Sequence, residues 1–121
     1  PYTPLFRSLH PAPDASLALS IVSLSGGIDK LLHRVDDLAE RDPRVATHLV
    51  EFAVQAEPGN RLAHQKRTEI YRQRAATAES TMAFGIYSWA AAESLAQVLG
   101  CDFDQALEQV KGGESPRSQV F

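Results

Sequence analysis

The segment from Thr81 to Leu99 constrains the fold of this chain most, because it is apolar nearly all the way round a helix. A helix without a polar face is normally buried on every side. The rest of a chain of 121 residues does not easily cover so much apolar surface, and exposed patches of this size mark interfaces. The segment therefore predicts a partner contact, with these candidate interface residues: Met82, Phe84, Tyr87, Trp89 and Leu95.

Helix signals occupy most of the remaining chain. Capping residues and prolines at first helical positions predict where helices begin: Asp14, Asp42-Pro43, Asn60 and Asp102. Apolar residues recur at helical spacing from Ile28 to Ala39, and Gly26-Gly27 and Gly100 predict helix ends. No run alternates apolar and polar residues between turn dipeptides, so we predict no sheet. The fold class is all-α, with five to six helices in antiparallel hairpins.

The two ends of the chain differ from its middle. Four prolines among the first thirteen residues forbid a helix there, so residues 1–13 are predicted to be an extended lead-in. Residues 14–111 form the helical domain, and residues 112–121 a polar tail. Because the chain begins without methionine, we expect that it is processed or cut from a longer protein.

Composition excludes several classes of function. Hydrophobic residues make up 44% and charged residues 22%, as in ordinary globular domains. A net charge of -3 gives no attraction to nucleic acid, and no window approaches the roughly 18 apolar residues of a membrane span. Cys101 is the only cysteine, which excludes a disulfide scaffold and any zinc site that needs two thiolates, but leaves the compartment undecided.

No motif predicts a catalytic, metal or cofactor site. The four histidines lack metal-ligand spacing, and no GxSxG or phosphate-binding glycine motif is present: His10, His33, His48 and His64. One basic run could contact phosphates, a sulfated group or an acidic partner: Arg61, Lys66, Arg67, Arg72 and Arg74. We favour the interpretation that this run is a solvent-exposed helix face, whose positive charges complement the acidic helix from Asp29 to Glu40.

The stretch from Leu24 to Ala92, with the two residues that follow it, carries a family resemblance in three segments. They are SGGIDKLLHRVDDLAERD, then RVATHLVEFAVQAEPGNRLAHQKRTEIYRQRA with a turn at Pro58 and Asn60, then AESTMAFGIYSWAAAES. In order and spacing they resemble the dimerisation region of zinc-dependent alkyl sulfatases, a branch of the metallo-β-lactamase superfamily. In the third segment the agreeing residues are Ala78, Glu79, Ser80, Tyr87, Ala91 and Glu93.

The resemblance implies a tetratricopeptide-like helical domain that dimerises with its own copy and holds two catalytic domains together. In that family a preceding β-lactamase-like domain binds two zinc ions and hydrolyses the sulfate ester. Its HxHxDH motif does not occur in this sequence, so no catalytic residue is transferred to this chain. The expected partners are therefore a second copy and a covalently linked or separate catalytic domain.

Two other functions remain open from the sequence. A free-standing tetratricopeptide-like adaptor would bind a peptide, although a second repeat at about 34-residue spacing is not evident. A small-ligand sensor would bind an apolar molecule among four residues of the Thr81–Leu99 segment, although aromatic helices are more often core: Met82, Phe84, Tyr87 and Trp89. A dimerisation module should be dimeric without additives, an adaptor monomeric, and a sensor stabilised by its ligand.

Overall fold

Six α-helices make up the described part of the protein, residues 13–114 of a computed structural model. This range contains no strand, and the all-helical prediction is confirmed. In chain order the helices are α1 Asp14–Ser25, α2 Ile28–Leu38, α3 Pro43–Ala56, α4 Arg61–Ala76, α5 Thr81–Leu99 and α6 Phe103–Glu114. The predicted lead-in lies outside the described residues except for Pro13, and α6 continues three residues into the predicted polar tail.

Local capping explains most of the helix boundaries. The side chains of Asp42, Asn60 and Asp102 each accept a hydrogen bond from a backbone N–H three residues on, at 3.3, 3.0 and 2.8 Å. Ser80 caps α5 in the same way at 3.0 Å. The prediction for Asp14 was wrong: Pro13 occupies the cap position, and Asp14 is the first helical residue, where its charge favours the helix N-terminus.

A glycine pair makes the corner between α1 and α2. Gly26 and Gly27 have φ angles of 99° and 114°, values that side-chain-bearing residues rarely adopt. The corner bends the chain by 84° between the two helix axes. Within residues 13–114 no single helix is long and apolar enough to cross a bilayer, while α1 and α2 taken together meet that test by length and composition only.

Helix α4 lies at the centre of the packing. Its contacts with α3 run in opposite directions along the two helices, from Thr47–Arg74 to Glu51–Arg67, so the pair is antiparallel. Contacts with α5 also run in opposite directions, with Arg74 beside Tyr87 and His64 beside Ser94. Helix α6 then packs on α5, and α1 and α2 pack on α3, so the elements form a row of neighbouring helices.

The core is built mainly from small side chains. Nine of the seventeen buried apolar residues in the described range are alanine, and the largest fully buried side chains are valines and serines. The inward face of α5 follows this pattern, because four of its five buried residues are small and permit close helix approach: Ser88, Ala91, Ala92 and Ser94, with Leu95 as the fifth. A core of this kind stabilises weakly, because each buried alanine removes little apolar area from water.

Candidate protein-interaction surface

The outward face of α5 carries a stripe of large apolar side chains. Met82, Ile86 and Trp89 are 76%, 59% and 51% exposed, and their spacing of four and then three residues places them on one side of the helix. We call these three residues the α5 apolar stripe. One turn further on, the same face becomes polar at Glu93. The α5 apolar stripe is therefore confined to the first two and a half turns of the helix.

The α5 apolar stripe borders a shallow groove of about 630 Å³. Thr81, Gly85 and Ala90 complete the α5 side of the groove, and Lys111 of α6 lies at its edge. Gly85 has nothing within 4 Å of the position that a Cβ would occupy, so the groove is open at this point. An open apolar groove beside exposed Met and Trp has the composition of an interface centre rather than of a closed ligand cavity.

Trp89 is held in place by the neighbouring helix. Its ring lies 4.6 Å from the ring of Phe103 between centroids, with the planes tilted by 45°. Such tilted pairs contribute beyond the area that they bury. The contact fixes one face of Trp89 against α6 and leaves the other half of the side chain in solvent, so it is a rigid anchor that costs little entropy to bind.

The predicted interface residues divide between the two faces of α5. Met82 and Trp89 belong to the exposed stripe, Phe84 and Tyr87 are partly buried, and Leu95 is 9% exposed within the core formed with α6. Ile86 is not among the interface residues predicted from the sequence. The spacing of four residues after Met82 and three before Trp89 could have identified it, since that spacing defines one helix face.

A buried polar network lies behind this surface and joins α3, α4 and α5. Arg67 donates to Glu51 at 2.7 Å, to the Ala90 carbonyl at 3.0 Å, to Ser94 Oγ at 3.0 Å and to Glu93 at 3.2 Å. The Arg67 side chain is only 12% exposed. We call these residues, with Tyr71, the Arg67 network. A guanidinium buried this far is tolerated because nearly every donor has a partner.

Charge and burial set the protonation states in the Arg67 network. Burial alone would lower the pKa of Arg67, but the hydrogen bond and charge of Glu51 outweigh it and raise the pKa above its usual value. Burial also raises the pKa of Tyr71, and its 2.8 Å hydrogen bond to Glu51 raises the pKa further. Arg67 therefore stays charged and Tyr71 stays neutral over the physiological range.

The interpretation of α4 as a solvated basic face is wrong for two of its arginines. Arg67 bridges α3 and α5 through the hydrogen bonds described above, and Arg74 donates to Thr47 Oγ1 at 2.9 Å and to the Tyr87 hydroxyl at 2.8 Å. Arg74 also lies 4.8 Å from the centre of the Tyr87 ring. Lys66 agrees with the prediction, because it pairs with Asp36 of the acidic helix at 3.0 Å.

The remaining candidate groups show no arrangement for catalysis. His33 and His48 are exposed, His10 lies outside the described residues, and Cys101 is partly exposed. His64 Nδ1 lies 2.9 Å from Ser94 Oγ, and Nε2 donates to the Pro58 carbonyl at 2.7 Å, since a carbonyl only accepts. Across residues 13–114, no group of three His, Cys, Asp or Glu side chains is placed to hold a metal ion.

Comparison with known proteins agrees with an interaction role. Neither a curated protein nor a solved structure matches the chain. A family model does match, over residues 6–97, and its description is alkyl sulfatase dimerisation. The matched range includes α1 to α4 and most of α5, and so contains the α5 apolar stripe, the helix pair around Pro58 and Asn60, and the Arg67 network. The chain belongs to the alkyl sulfatase dimerisation family.

Proposed function

We propose that this chain is a homodimerisation module for a zinc-dependent sulfate-ester hydrolase, and that two copies hold two catalytic domains together. Membership in the dimerisation family supports the first part of the proposal. The catalytic domain is a separate or covalently linked unit in this scheme, and zinc is assigned to it. Residues 13–114 do not fit a zinc site, and no step of the hydrolysis is attributed to them.

One observation carries the proposal: many large apolar side chains lie outside, while the core is built mainly from small ones. Nine large apolar residues of the described range are more than 40% exposed, whereas nine of the seventeen buried apolar residues are alanine and only four are larger than valine: Leu31, Leu32, Ile70 and Leu95. An obligate dimer interface resembles a domain core that has been cut in half. A protomer whose largest apolar groups face solvent therefore has the surface expected of one half of a dimer.

The α5 apolar stripe is the part of this surface that we assign to the dimer contact. It combines three adjacent exposed side chains with a groove that can receive a partner side chain. Twofold dimers use the same patch on both protomers, so an apolar ridge beside an apolar groove is self-complementary. Trp and Met are also enriched where interfaces are fully dehydrated.

Replacement of Ile86 by aspartate tests this assignment. Ile86 exposes roughly 90 Å² of apolar side chain, which at about 25 cal/mol per Å² contributes about 2 kcal/mol to association. A twofold interface contains the residue twice, so Ile86→Asp should raise the dimer dissociation constant about 1,000-fold. Trp89 is a poorer choice, because its contact with Phe103 also holds α6.

The experiment compares three proteins by sedimentation, all at the same concentration in the micromolar range. The wild type and Leu24→Asp should be dimers, and Ile86→Asp a folded monomer with an unchanged circular dichroism spectrum. Leu24 is the matched control, because it is an 88% exposed apolar residue on α1, a helix that packs against α2 and α3. A dimeric Ile86→Asp protein would show that the dimer contact does not depend on α5. A monomeric Leu24→Asp protein would show that the contact involves α1.

The hydrolase part of the proposal has its own test. The coding sequence that precedes Pro1 should contain an HxHxDH motif within a domain that binds zinc, and the full-length protein should release sulfate from an alkyl sulfate. A coding sequence without that motif would contradict a covalently linked catalytic domain and leave the dimerisation proposal standing.

A further inference from the structure

We infer that the dimer contact extends from α5 onto α6, and that the two copies of α6 meet antiparallel with Lys111 opposite the partner's acidic residues. The inference rests on the proposed function, because it concerns the geometry of the same dimer. It names a second set of contacts, made by charged residues, that the apolar surface of α5 does not include.

The α5 apolar stripe is too small to form a stable interface alone. At the exposures given above, its three side chains offer roughly 350 Å² of surface in total. A standard interface buries about 800 Å² on each partner. More than half of the contact must therefore come from neighbouring parts of the protomer.

The surface next to the stripe is the outer face of α6. Lys111 borders the α5 groove and also a second depression, of about 530 Å³, that is lined by Asp104, Leu107 and Glu108. The two depressions share Lys111 and so form one continuous surface. Leu107 packs partly against the α5–α6 core and partly lines this depression, which gives the α6 face an apolar centre between charged groups.

The order of charges on this face is self-complementary in only one orientation. Asp104 and Glu108 are acidic and precede Lys111, and the spacings of three, four and seven residues place all of them on one side of α6. The distance from residue 104 to residue 111 along the axis is about 10 Å. In an antiparallel pair each Lys111 lies across from the partner's acidic residues, whereas a parallel pair places like charges opposite each other.

Charge complementarity favours the antiparallel arrangement, and twofold symmetry is compatible with it. A twofold axis perpendicular to α6 reverses the direction of the second copy, and twofold interfaces are the most common in homodimers. Each charge contact then occurs twice. Complementary charges at the edge of an apolar centre fix the register and suppress other pairings. The occupant of the combined α5–α6 surface is thus a second copy of this chain.

A charge exchange tests the geometry. Glu108→Lys alone places positive groups opposite the partner's Lys111, and Lys111→Glu alone places negative groups opposite Asp104 and Glu108. Each variant should therefore have a dimer dissociation constant at least about tenfold above that of the wild type. An equimolar mixture should form a heterodimer tighter than either homodimer, because the exchanged charges are again opposite in sign.

The controls separate this inference from the proposed function. Asp37→Lys changes the net charge as Glu108→Lys does, but on the exposed face of α2, and it should leave the dissociation constant unchanged. Sedimentation and circular dichroism are measured for every protein, alone and mixed. If the wild type is a dimer and both α6 variants have its dissociation constant, the inference about α6 is overturned and the proposed function still stands. A monomeric wild type would overturn the proposed function and this inference with it.

Discussion

Replacing Arg67 by methionine removes a buried cation while keeping most of its apolar stem. Arg67 contacts α3 through Glu51 and α5 through Ala90, Glu93 and Ser94, so one side chain joins three helices. Methionine cannot replace any of these hydrogen bonds. The substitution leaves the Glu51 carboxylate, at 28% exposure, with the Tyr71 hydroxyl as its remaining donor, and it removes one donor each from the Ala90 carbonyl and from Ser94 Oγ. Water can replace Arg67 at these acceptors only in part.

The magnitude follows from these contacts. The hydrogen bond between Arg67 and Glu51 contributes about 1.5–2 kcal/mol, and each of the two hydrogen bonds lost on α5 contributes about 0.5 kcal/mol, because Ser94 Oγ still contacts His64 and the Ala90 carbonyl lies within a helix. The Glu93 carboxylate is 46% exposed, so its pair with Arg67 contributes a few tenths at most. The free energy of unfolding should fall by about 3 kcal/mol, which corresponds to about 15 °C in the melting temperature of a domain of this size.

Urea denaturation followed by circular dichroism measures this change. Arg61→Met on the same helix is the matched control, because Arg61 is exposed, and it should change the free energy of unfolding by less than about 0.5 kcal/mol. Glu51→Leu combined with Arg67→Met should be less destabilising than the sum of the two single changes, since neither member of the Arg67–Glu51 pair is left without the other. A loss below about 1 kcal/mol in Arg67→Met would refute the conclusion that the Arg67 network holds the three helices together.

Two further predictions follow from the same contacts. Because the pKa of Tyr71 is raised in the folded protein, the stability that this residue contributes is fully present below its unfolded pKa of about 10 and is lost as pH rises above it, by about 1.4 kcal/mol per pH unit. Tyr71→Phe should remove this part of the decline. Urea denaturation at pH 8 and pH 11 should therefore show a smaller fall in the free energy of unfolding than in the wild type. An equal fall in both proteins would show that Tyr71 titrates normally. Gly85→Ala in the monomeric Ile86→Asp background should raise the free energy of unfolding by about 0.5–1 kcal/mol, because the added methyl group meets nothing within 4 Å. A fall in stability there would show that the inner side of the groove is closed in the monomer.

The helices could be predicted from sequence because their signals are local. Caps at Asp42, Asn60 and Asp102 act within one turn, and Gly100 adopts the left-handed φ of 68° expected of a helix end. The error at Asp14 has a local cause as well, since Pro13 can occupy a cap position without donating or accepting through its side chain. The number and order of helices follow from such signals.

The orientation of charged side chains depends on distant residues and was harder to predict. Arg67 and Arg74 have the composition of a solvated face, and only the positions of Glu51 and Tyr87 on neighbouring helices turn them inward. The same holds for α5, whose sequence is apolar on nearly every side. Small residues on one face let α4 approach closely, and the larger ones remain outside. Which apolar face meets a partner is therefore a tertiary property.

The solution mass of the wild-type chain tests the central claim most directly. Sedimentation velocity across a series from low micromolar to high micromolar concentration distinguishes a 13.2 kDa monomer from a particle of twice that mass. We predict a dimer that persists at low micromolar concentration without any ligand or partner. A single species of monomer mass at every concentration would contradict the assignment of the α5 apolar stripe to self-association.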